Sequence, residues 1–113
     1  MLPDTAEIID DEIAILEGEV NRLRKIIVDH QHNVLALGVR LLAFQRVGIR
    51  DESVQNTYSN SRADAIQAIA VARLNMRNLT QRIEALRSLN GNLDHPSIQE
   101  DVEQLRTMVE GLG

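Results

Sequence analysis

The chain of 113 residues has no cysteine. That excludes disulfide bridges, thiolate zinc sites and a cysteine nucleophile, and it fits a reducing compartment. There is no tryptophan, and the aromatics are limited to Phe44 and Tyr58. A nucleic-acid platform built on stacked aromatic rings is therefore excluded. The only prolines are Pro3 and Pro96, so no proline interrupts a helix across the body of the chain. No apolar run approaches the roughly 18 residues of a membrane span. The opening "MLPDTAEIIDDE" is acidic, unlike the basic start of a secretory signal. The expectation is a soluble protein, cytoplasmic or otherwise intracellular. Gly-rich phosphate loops, nucleophile elbows, cofactor fingerprints and paired acid/base constellations are all missing. The sequence thus predicts no catalytic residue, no cofactor and no enzyme.

What remains is mostly Leu, Ile, Val and Ala among many charges, the usual material of long helices and coiled coils. The net charge of −5 is unevenly spread. Residues 1–20 carry seven acidic groups and no basic one, and residues 91–113 carry five acidic and one basic. Residues 21–90 carry eleven basic groups against five acidic. The middle is basic and both ends are acidic. Eleven of the twelve basic residues are arginine, Lys25 being the exception. Arginine suits planar, multidentate pairing with carboxylates or phosphates.

The apolar residues of the first half step by three and four. Ala6, Ile9, Ile13, Leu16, Val20, Leu23, Ile27, His30, Val34, Leu37, Leu41 and Phe44 form one stripe with a single polar member. This spacing predicts a helix over about 4–48, roughly 60–65 Å long at 1.5 Å per residue. Asp4 is the expected cap, followed by acidic groups suited to the positive end of the helix dipole. A second series with the same spacing runs through Val28, His32, Leu35, Val39, Leu42, Arg46 and Ile49. At 100° per residue it falls nearly opposite the first. A helix that is apolar on two faces needs two partners, of which the second is most simply another copy of the chain.

Gly48 and the polar stretch "RDESVQNTYSNSRAD" read as a turn and loop over about 49–60. The second helix is expected over about 61–89, with an alternative start near Asp51. Its seam is Ala65, Ile69, Ala72, Met76, Leu79, Ile83 and Leu86. Folding back near residue 50 would set small residues of this helix against bulky ones of the first, a combination that interdigitates well. "NGNLDHP" closes the second helix. A third is expected over about 96–111, starting at Asp94 or Ser97, with one seam of Ile98, Val102, Leu105, Val109 and Leu112.

The predicted fold is all-α. One helical domain over 1–113 consists of a long antiparallel, coiled-coil-like hairpin and a short C-terminal helix, completing a bundle by oligomerisation. The intrachain seam comprises Ile13, Leu16, Val20, Leu23, Ile27, His30, Val34, Leu37, Leu41 and Phe44 with the seven residues of the second helix. The candidate oligomer interface is Val28, His32, Leu35, Val39, Leu42 and Ile49.

His30 and His32 point to different faces, so they cannot chelate one ion together, and no metal site is predicted. A polar residue in a helix seam instead sets register and partner number at some cost in stability. Arg40, Arg46 and Arg50, near the hairpin tip, are the candidate patch for an anionic partner. The leading functional expectation is a non-enzymatic, self-associating interaction protein: an assembly subunit, scaffold or adaptor. One alternative is a small nucleic-acid-binding regulator that uses the Arg-rich middle, although nucleic acid is the less favoured partner. Another is an acidic protein-binding inhibitor or antitoxin-like partner.

Overall fold

The computed structural model describes residues 2–113. Three helices follow in order, α1 (Thr5–Val47), α2 (Glu52–Gly91) and α3 (Pro96–Glu110). Among the described residues there is no strand, and no helix is long and apolar enough to cross a membrane.

The helix ends follow from local chemistry. At the start, the Ile8 N–H donates to the Asp4 carbonyl, so α1 begins directly after Asp4. At its end, Gly48 takes φ +73°, and the Ile49 N–H donates back to the Phe44 carbonyl at 3.0 Å. This is a Schellman-type stop, in which glycine avoids the steric cost of the left-handed region. Asp51 then caps α2, its Oδ1 accepting from the Val54 N–H at 3.2 Å. The Gln55 side-chain amide closes the turn by donating to the Ile49 carbonyl at 2.9 Å.

The loop expected over 49–60 is therefore a tight turn, and α2 starts at Glu52 rather than near 61. The polar residues that looked like loop are helical because their apolar neighbours have partners. Tyr58 stacks on Phe44, ring centroids 5.8 Å apart, and Val54 is half-buried.

The start of α3 also differs in detail from expectation. Its cap is His95, whose Nδ1 accepts from the Ser97 N–H at 3.2 Å, and Pro96 occupies the first turn. Proline fits there because its missing N–H would have no partner in any case.

The chain divides into two compact units, residues 1–19 with 79–113 (unit 1) and residues 20–78 (unit 2). Unit 2 is a two-helix hairpin. Phe44 lies against Tyr58, and a groove joins His30 and Leu37 to Ala65 and Ala68. A second groove joins Leu23 to Ala72 and Asn75. These pairings set the antiparallel register, with paired positions summing to about 100.

Unit 1 is a three-helix cluster of the start of α1, the end of α2 and α3. Arg87 donates to Glu17 at 2.7 Å. Arg106 of α3 donates to the Pro3 carbonyl at 2.8 Å and to Thr5 Oγ1 at 3.3 Å, tying the third helix to the N-terminus.

Among the described residues the seven buried ones are aliphatic: Ile9, Val20, Leu23, Ile27, Ala65, Ala72 and Ile83. Among the described residues no polar or charged side chain is buried, and no large side chain is fully sealed from solvent. A pair of helices has a seam, not an interior. Its outward faces stay wet until something else packs on them.

Candidate interaction surfaces

The two sides of unit 2 follow from counting along each helix. The residue one before a seam position is turned by 100° to one side, and the residue one after it to the other. In an antiparallel pair, equal offsets on the two helices meet on the same side of the hairpin.

The preceding positions make a groove of mixed character of about 580 Å³, where Asn33 and Arg40 of α1 and Asp64 of α2 stand beside Ala36 and Ala68; further along the same side are Ile26 and the exposed Val71. His30, half-buried in the seam, forms part of the groove's wall.

The following positions make the opposite side. On α1 they are Val28, Gln31, Leu35, Gly38, Leu42 and Gln45; the apolar members Val28, Leu35 and Leu42, with Val39 a little further round, are all exposed. On α2 they are Ala63, Ile66 and Ala70, also exposed. Register places Leu35 level with Ile66. Leu35 is 67% exposed, Val28 60% and Ile66 52%.

With roughly 80–120 Å² still accessible on each large side chain, the patch amounts to on the order of 500 Å² of apolar surface, above the scattered single residues normal on a monomer. Bulky residues form a ridge on α1, and on α2 Ala63 and Ala70 leave shallow troughs on either side of Ile66. Gly38, on the same side, leaves the Arg62 guanidinium free to lie over the α1 backbone, 4.0 Å from where a Cβ would be.

The expected seam is placed as follows. Val20, Leu23, Ile27, Ala65, Ala72 and Ile83 are buried. Ile13, Leu16, His30, Val34, Leu37, Leu41, Phe44, Ile69, Met76, Leu79 and Leu86 are half-buried. The candidate oligomer residues Val28, His32, Leu35, Val39, Leu42 and Ile49 are all exposed. Ile49 lies beyond the end of α1, in the turn, so the helical stripe itself stops at Leu42. Ile66, Ala63 and Ala70 complete the face from α2 and were not anticipated. The available signal was Ile66, an isoleucine one position off its seam and level with Leu35.

The arginines of the candidate anionic patch separate. Arg40 lies over the Tyr58 ring, 5.4 Å from its centroid. Arg46 is about 120° further round α1, and Arg50 sits in the turn after the helix. A different trio shares one side. Arg24, Arg73 and Arg77 follow the seam positions Leu23, Ala72 and Met76, continuing the apolar face toward the lower-numbered end of α1's share of unit 2. Arg24 also donates to Asn21 at 3.3 Å.

In unit 1, the seam expected of α3 is only partly covered. Ile98, Val102 and Arg106 are half-buried, while Leu105, Met108, Val109 and Leu112 are exposed. The inward place is taken by Arg106, whose guanidinium is held by Pro3 and Thr5. An apolar groove of about 300 Å³ opens between the three helices, with Ile8, Leu86, Leu89, Val102, Leu105 and Val109 among its walls.

The units differ in charge. Unit 1 has thirteen Asp and Glu against three Arg, net −10, and unit 2 has four against nine Arg and Lys, net +5. His30 and His32 lie on different faces, one half-buried and the other exposed. Among the described residues no three potential metal ligands cluster.

No protein-family model matches the chain, and neither a curated protein nor a solved structure matches it.

Proposed function

We propose that the protein is a non-enzymatic, self-associating interaction protein, an assembly subunit or scaffold, whose unit 2 hairpins pack face to face into a four-helix bundle. The observation that carries this reading is the exposed apolar side formed by Val28, Leu35, Val39 and Leu42 with Ile66.

Two features favour a second copy as the occupant. A face with a ridge on one helix and small-residue troughs on the other is self-complementary under a two-fold rotation, each ridge filling the partner's troughs. A standard interface also covers about 800 Å² per partner, and an apolar centre of this size with a polar rim comes close to that. Four helices around one core further supply the sealed interior that two lack.

The absence of native cysteine permits a direct test. Single cysteines replacing Leu35, Val39 or Leu42 should form disulfide-linked dimers under mild oxidation, while Asn33→Cys on the opposite side should not. Cross-linking confined to the Asn33 side would refute the face.

The second reading is a nucleic-acid-binding regulator, supported by the +5 charge of unit 2 and by Arg24, Arg73 and Arg77 on one side. An anisotropy titration with duplex DNA and with RNA at low salt tests it, because phosphate attraction is greatest there. No binding under those conditions removes this reading.

A further inference from the structure

We infer that the unit 1 groove is a docking site for a basic amphipathic helix of a partner protein. This inference uses neither the residues nor the charge of the unit 2 face, and rests on the self-association proposed above only where it excludes a second copy as the occupant. The walls named here are Ile8, Leu89, Leu105 and Val109, all exposed, with Glu12 at the edge. On α3 the exposed apolar surface continues at Met108, and Leu112, in the turn after the helix, is exposed as well. Apolar side chains from Val102 to Val109 thus cover about two turns of α3, against which a helix can lie.

Helix rather than strand follows from backbone chemistry. The helices facing the groove have their mid-helix N–H and C=O groups paired, and among the described residues there is no strand, so no free sheet edge is present to receive an extended peptide. An occupant must bring its backbone hydrogen bonds with it. Val102 to Val109 spans about 10 Å at 1.5 Å per residue. That matches anchors at i, i+3 or i+4, and i+7 on the incoming helix.

The charge selects the partner. Unit 1 is net −10, and Glu12 on α1 and Asp101 on α3 occupy the same helical lines as Ile8 and Leu105. Arg106, the basic group at the groove, already donates to Pro3 and Thr5. Anionic lipid and nucleic acid are repelled by such a surface, whereas a helix flanking its leucines with Lys and Arg is attracted. A second copy's unit 2 face is occupied in the bundle proposed above, which leaves a different protein as the source.

The test is fluorescence anisotropy with the full chain and a labelled helical 20-mer carrying Leu at i, i+3, i+4 and i+7 and Lys or Arg at the flanking positions. Three comparison peptides have Glu in place of Lys and Arg, Gln in place of Leu, or a scrambled order. The basic amphipathic peptide should bind saturably in the micromolar range. Each comparison peptide should bind at least ~10-fold more weakly, corresponding to 1.4 kcal/mol.

Leu105→Gln with Met108→Gln removes apolar contact without changing charge. Both side chains are exposed, so the fold should persist, as circular dichroism will show. This variant should weaken binding ~10-fold, and Glu12→Gln with Asp101→Asn should weaken it severalfold at low salt, with little difference at high salt. Leu35→Glu should leave the peptide affinity unchanged while altering the mass of the protein, so the two proposals fail separately. Absence of saturable binding overturns the inference. So does equal binding of the acidic or leucine-free peptide, unchanged affinity in the Leu105 variant, or a Leu105 variant that loses self-association.

Discussion

Replacing Leu35 with glutamate tests the apolar face where its consequences are largest. In the isolated chain Leu35 is 67% exposed, and Glu is nearly as good a helix former as Leu. The change should therefore leave the folded monomer within about 0.5 kcal/mol of its original stability, as surface substitutions do. In a face-to-face bundle the same side chain is central. About 120 Å² of its surface remains to be covered, which at 25 cal/mol per Å² is worth up to about 3 kcal/mol per copy. Incomplete coverage would halve that. A symmetric interface contains the residue twice, so the loss is about 3–6 kcal/mol, or roughly 10²–10⁴-fold in Kd. Desolvation of two carboxylates adds to it. Sedimentation velocity at micromolar concentration should show the variant as a monomer, with an unchanged far-ultraviolet spectrum at matched helical content per residue. A variant that assembles as the unmodified chain does would refute the placement of the interface. One that loses its helices even when concentrated would show that Leu35 supports the monomer fold itself.

Other substitutions probe the remaining links. Ile27→Ala opens a cavity in the seam at a buried position and should cost about 2–4 kcal/mol in chemical denaturation. His30→Leu exchanges a half-buried polar residue in that seam for an apolar one. It should raise stability by about 1 kcal/mol and broaden the range of assembled species seen by light scattering, as loss of a polar register residue does. Gly48→Ala places a side chain at φ +73°, where space is open but the backbone is unfavourable, and should cost about 1–2 kcal/mol. Gly18→Ala, in the middle of α1 with nothing within 4 Å of the new Cβ, should stabilise by about 0.5–1 kcal/mol. The opposite signs of the two glycine changes can be read from the thermal midpoints. Arg87→Met breaks an ion pair whose side chains are 61% and 48% exposed, so its loss should cost less than about 1 kcal/mol and shrink further in salt.

The helical character was legible because one physical pattern recurs without interruption. Apolar residues from Ile9 to Phe44 return every three or four positions, and no proline breaks them. The turn was legible at Gly48, though the start of α2 was ambiguous. Ser53, Asn56, Thr57, Ser59 and Asn60 favour turns when judged one at a time. One local effect and one between helices outweigh them here, the Asp51 cap and the stacking of Tyr58 on Phe44. Thr57 stays helical by donating its hydroxyl to the Ser53 carbonyl at 2.9 Å.

Arg106 was hidden for a different reason. By spacing alone Leu105 and Val109 belong with Ile98 and Val102, and nothing in that spacing signals that Arg106 beside them reaches the Pro3 carbonyl. A contact 103 positions away in the sequence leaves no periodic trace. The outer face of α1 was readable from its own stripe. Its continuation onto Ile66 and the alanines of α2 emerges only once the register of the hairpin is known.

The most direct test of self-association is sedimentation equilibrium of the unmodified chain from about 1 to 200 µM, at or above the Kd usual for interfaces of standard size. The account predicts an integral multiple of 12.7 kDa, present already at the lowest concentration or reached within the range. A single species of 12.7 kDa across the whole range, still fully helical, would contradict it.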